Sequence, residues 1–101
     1  MPDPIVKTRT KTKTKTARPP LFKVILLNDD YTPREFVVTV LKLVFRMGEE
    51  RAHAVMLTAH RKGACVIAVY ARDIAETKAS EAMELAKSKG YPLAFSTEPE
   101  E

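Results

Sequence analysis

Tryptophan is absent from this chain, cysteine occurs once and glycine three times in 101 residues. The single thiol, Cys65, excludes an internal disulfide and any metal site built from several cysteines. No apolar run approaches the roughly 18–20 residues that a membrane span needs, and no apolar block follows Met1 to serve as a secretory signal. Motifs of common chemistry are also missing: there is no GxSxG elbow, no P-loop, no GxGxxG and no HExxH. Two histidines, His53 and His60, with scattered carboxylates make no ligand cluster. The expectation is a small cytoplasmic domain with no catalytic residue, no cofactor and no metal.

Hydrophobic residues make up 45% of the chain, the ordinary globular share, so a core can be buried. The formal net charge of +4 is unevenly placed. Residues 1–20 hold six basic side chains and one acid, while the other 81 residues hold 11 basic and 12 acidic. Lys and Thr alternate in that N-terminal stretch, but a strand there would have no apolar face to bury. A flexible basic extension over residues 1–20 is therefore expected, closed by Pro19-Pro20. The nearly neutral remainder lacks a basic face interleaved with aromatics, which argues against nucleic acid as a partner.

Leu21 to Leu27 (LFKVILL) reads as a strand and Asn28-Asp29-Asp30-Tyr31 as a turn. Thr32-Pro33-Arg34-Glu35 has the form of a capping box, with Thr32 as cap, opening a helix that ends near Met47 at Gly48. A second helix is predicted from Glu49 to His60, with acidic residues at its start and basic residues at its end. Ala64 to Tyr70 reads as a buried strand containing Cys65, for which core packing is the stronger reading than a nucleophile. Asp73 opens a third helix to Lys89, its apolar side made by Ile74, Ala82, Leu85 and Ala86. Tyr91 to Phe95 forms a last strand, and residues 98–101 an acidic frayed end. The order β-α-α-β-α-β predicts an α+β core over residues 21–97, a three-stranded antiparallel sheet with three helices on one face.

Asn28-Asp29-Asp30 supports two readings. It is either a turn with an auxiliary helix cap, or a preorganised site for a cation. If the second helix packs beside the loop, His60 and the Asn/Asp cluster converge over an apolar floor that includes Met56. Such a pocket suits an ammonium group attached to a hydrophobic side chain.

FKVILLNDDYTPREFVVTVL, then MLTAH, AETK and PLAF, resemble ClpS, the family of adaptors that deliver N-degron substrates to a ClpA-type AAA+ unfoldase and the ClpP peptidase. The resemblance covers roughly residues 22–97 and implies the α+β fold above, in a monomer. It implies that an N-terminal Leu, Phe, Tyr or Trp enters a pocket, its amino group bound by Asn28, Asp30 and His60 with Asp29 nearby. The side-chain pocket it implies includes Leu26, Leu27, Thr32, Val37, Met56, Ala59 and Leu93. Asp73, Thr77 and Lys78 fall at positions that dock the unfoldase's N-terminal domain, and residues 1–20 at the extension engaged during handover. Two positions depart from the pattern: Arg34 stands where Met is usual at the pocket mouth, and Ala59 where Val is common. Arg34 is expected to cover the rim with its stem while its charge reaches water. The alternative reading is a general protein-interaction domain without amino-group recognition.

Overall fold

A computed structural model describes residues 19–100. The expected extension therefore lies outside the described residues except for Pro19 and Pro20, as does Glu101. The elements are β1 (Leu21–Leu27), α1 (Arg34–Phe45), α2 (Glu49–Lys62), β2 (Ala64–Ala71), α3 (Arg72–Ser88) and β3 (Ala94–Pro99). The three strands form one antiparallel sheet in the order β2-β1-β3.

Strand β1 is central, pairing with both β2 and β3, and one of its faces is buried: Val24 and Leu26 are buried while their neighbours are not. Val24 lies opposite Ala68 and Leu26 opposite Cys65, so β2 adds its own residues to the same face. The register shifts between Val24 and Ile25, and Ile67, left out of the pairing, is buried at 2% exposure. Phe95 of β3 pairs with Leu26 and stacks obliquely on Phe45 of α1 at 5.4 Å. The helices cover this face. Leu21, Val66 and Val69 remain exposed.

Several element ends differ from the sequence reading. Helix α1 stops at Phe45 because Arg46 turns left-handed (φ 57°) and Met47 donates its N–H back to the Leu41 carbonyl at 3.2 Å. Gly48 is instead the N-cap of α2. That helix continues two residues past His60 to Lys62, where Gly63 (φ 91°) takes the left-handed turn that a β-carbon would strain. Helix α3 begins at Arg72 directly from β2, without a side-chain cap from Asp73. Its buried face is a stripe of alanines, Ala75, Ala79, Ala82 and Ala86, while Ile74 is 47% exposed and Leu85 half-buried. Ala82 and Ala86 are therefore as expected, while Ile74 and Leu85 give way to Ala75 and Ala79. Strand β3 starts at Ala94 and runs to Pro99, so Glu98 and Pro99 pair with Lys23 and Phe22 instead of fraying.

Candidate functional site

The loop that leaves β1 is shaped by Asp29. Its Oδ1 accepts the backbone N–H groups of Tyr31 and Thr32, both at 2.8 Å, and its Oδ2 accepts the Thr32 hydroxyl at 2.9 Å. This is the side-chain turn that a short acid makes with the backbone two residues on. The Thr32 hydroxyl is thereby turned away from the helix, and the expected capping box does not form. Pro33 occupies the N-cap position without a side-chain bond, its carbonyl accepting from Phe36 and Val37 at 3.0 and 3.2 Å.

The start of the loop is tied to the end of α2. Asn28 donates its backbone N–H to the Gly63 carbonyl at 3.0 Å, three residues past His60. Between the loop, α1 and α2 lies a cavity of about 340 Å³. Leu26, Val37, Met56, Ala59 and Leu93 line it and are each less than 9% exposed. Leu27 and Thr32 also line it, and Asn28, Asp29, Asp30, Arg34 and His60 supply polar groups. The twelve residues named from the sequence as amino-group or pocket positions therefore share one cavity. Tyr31 and Pro33 line it as well and were missed. Tyr31 is 81% exposed, and a large aromatic in a polar turn with no core to join was the available signal.

The polar groups divide by what already engages them. Asp29 is committed to its own loop, whereas the Asn28 amide and the Asp30 carboxylate take no part in those bonds. Arg34 is exposed, and its guanidinium has a protein partner besides water. Its Nη2 lies 2.8 Å from His60 Nε2 across the cavity. A guanidinium only donates, so in this contact Nε2 is the acceptor.

The three residues named for unfoldase docking are not all together. Asp73 and Thr77 line a shallow groove along α3 with Glu76, Ser80, Glu81 and Glu84. Lys78 is outside it, donating from Nζ to the Val44 carbonyl at 3.0 Å and so tying α3 to the last turn of α1. The acidic character of the groove was not foreseen, although acids at 73, 76, 81 and 84 recur at helical spacing. His53 is distant in role: it bonds Glu49 on the exposed side of α2 at 3.0 Å.

A family model described as "ATP-dependent Clp protease adaptor protein ClpS" matches residues 17–96. The chain belongs to the ClpS family. Among its ClpS relatives, the ATP-dependent Clp protease adapter protein ClpS 2 of Mesorhizobium japonicum is 61% identical over 101 residues, the whole of both chains. ClpS 1 of Bradyrhizobium diazoefficiens is also 61% identical over the full length of both. The structure of Agrobacterium tumefaciens ClpS2 bound to L-phenylalaninamide has a TM-score of 0.81 and 65% identity, covering 82% of this chain and 100% of that one.

Proposed function

We propose that this ClpS protein is a non-catalytic adaptor that binds the N-terminal Leu, Phe, Tyr or Trp of an N-degron and presents its bearer to a ClpA-type unfoldase working with ClpP. The observation that carries the reading is the convergence of the Asn28–Asp30 loop and the His60 ring on one apolar cavity. A chain terminus is mostly an ammonium with three donors at neutral pH. Moving it out of water is costly unless those donors are paired, and the Asn28 amide oxygen, the Asp30 carboxylate and His60 Nε2 are three acceptors of the right kind. The L-phenylalaninamide bound by the Agrobacterium relative has the same two parts, a free amine and an apolar side chain.

The magnitudes suit an adaptor that must let go. Burying a Leu or Phe side chain contributes roughly 1.5–3 kcal/mol, and each charge-assisted hydrogen bond about as much. After association costs of at least about 4 kcal/mol, at most about 8 kcal/mol remains, so the dissociation constant is no tighter than about micromolar. Docking to the unfoldase is assigned to the α3 groove at Asp73 and Thr77. Lys78 contributes by holding α3 in place. Residues 1–20 act at handover, in the bacterial cytoplasm, with the adaptor as a monomer.

Fluorescence anisotropy with a Phe-started peptide, its N-acetylated twin and a Gly-started control tests the binding half. Acetylation keeps the ring and removes only the charge. Capture of the free end alone supports amino-group recognition, and equal capture of the blocked end overturns it.

A further inference from the structure

The Arg34–His60 contact places two cations in competition for one acceptor. His60 Nε2 has a single lone pair, and Arg34 Nη2 occupies it at 2.8 Å. On the function proposed above, the incoming ammonium needs that same lone pair. The guanidinium must therefore leave it when an N-degron enters, both because the acceptor cannot serve two donors and because like charges repel.

Once released, Arg34 stays at the mouth. It is the first residue of α1, whose backbone is set by the Pro33 carbonyl accepting from Phe36 and Val37. The anions around it are already engaged. Asp29 accepts three hydrogen bonds within its loop, and Asp30 is assigned to the ammonium. The second residue of the ligand emerges at this mouth, because the first side chain fills the cavity and the chain must turn outward. We propose that Arg34 makes this adaptor favour N-degrons whose second residue is Asp or Glu, the carboxylate replacing His60 as the partner of the displaced guanidinium. A guanidinium fork fits a carboxylate with two parallel N–H···O bonds. The pair forms at an exposed rim, so its effect is modest and salt-sensitive, about three- to fivefold in affinity.

The test uses the full chain and three peptides that differ only at position two, Phe-Glu, Phe-Gln and Phe-Lys, each with its N-acetylated twin. Anisotropy is read at low and high salt for the natural protein and for Arg34→Met. The expected order is Glu tighter than Gln by about three- to fivefold and Lys weakest, with the spread shrinking as salt rises. Arg34→Met, an exposed position that leaves the core untouched, should erase the advantage of Glu over Gln. Equal binding of Phe-Glu and Phe-Gln by the natural protein overturns this proposal alone, provided acetylated peptides are still rejected. The same holds if the Glu preference persists in Arg34→Met. Equal capture of the acetylated twins overturns the amino-group reading and this proposal with it.

Discussion

At the scale of single residues, the site separates groups that build it from groups free to bind. Asp29 builds: its two oxygens accept three hydrogen bonds that give the loop its shape. Asp29→Ala is expected to lower stability by about 1–3 kcal/mol, measured by urea unfolding, and to weaken binding of a Phe-started peptide because Asn28 and Asp30 lose their placement. Asp29→Asn keeps an acceptor and should fall between. His60 has the proposed binding role: its ring offers one acceptor and little packing, since it is exposed. His60→Ala should therefore reduce peptide affinity by about tenfold, the value of one hydrogen bond to a charged donor, while leaving the unfolding midpoint nearly unchanged. The identities of these residues are visible in the NDDYTP motif and at His60. Which of them is committed to the loop is not, because Asp29 and Asp30 are the same residue type at adjacent positions and only the backbone path distinguishes them.

At the scale of elements, α3 has one face buried in the core and one face that forms the groove proposed for docking. Its alanine stripe is at most 4% exposed and leaves no room for a larger side chain. Ala82→Leu is expected to cost about 1–3 kcal/mol by overpacking, lowering Tm by roughly 4–8 °C per kcal/mol in a domain of this size. On the outer face, Thr77→Ala should leave the melting curve in place and weaken only unfoldase capture. Lys78→Ala should do the reverse in part, with a loss of about 1 kcal/mol as the Val44 carbonyl loses its donor. The α1–α2 junction carries a charge pair of its own. Hydrogen bonds from Lys42 and then from His53 hold the Glu49 carboxyl below its ordinary range. A carboxyl depressed in the folded state stabilises it above the unfolded value, and that contribution disappears as pH falls through the folded one. Thermal melts of Glu49→Gln against the natural protein should therefore differ slightly near neutral pH and converge in acid. The charge-paired ends of α2 are legible in sequence; of the alanine stripe only Ala82 and Ala86 are, because Ile74 and Leu85 outrank Ala75 and Ala79 in hydrophobicity while the buried face takes the small side chains.

At the scale of the whole molecule, the basic excess and the binding site occupy different stretches of chain. Residues 1–20 carry the positive charge, and the rest is close to neutral. Removing residues 1–20 is expected to leave Phe-peptide affinity within about twofold, since none of the proposed contacts comes from that stretch and exposed charges are screened at physiological salt, while slowing degradation of an N-degron substrate by the assembled protease. Loss of peptide affinity on truncation would show instead that the extension takes part in the pocket.

By itself the sequence determined the element order and the sheet pairing class, because hydrophobic periodicity and turn chemistry are local, and its distinctive motif residues pointed to twelve of the residues that line the cavity. It also determined that the two parts of the site are separated by about thirty residues, from Asn28 to His60. Only the tertiary structure decided that Asn28 is tied to Gly63, that Arg34 sits on His60 and that Lys78 faces α1 instead of the acidic groove. Each is a contact between elements distant in sequence, fixed by how helices seat on a twisted sheet, and no short window of the chain encodes that seating.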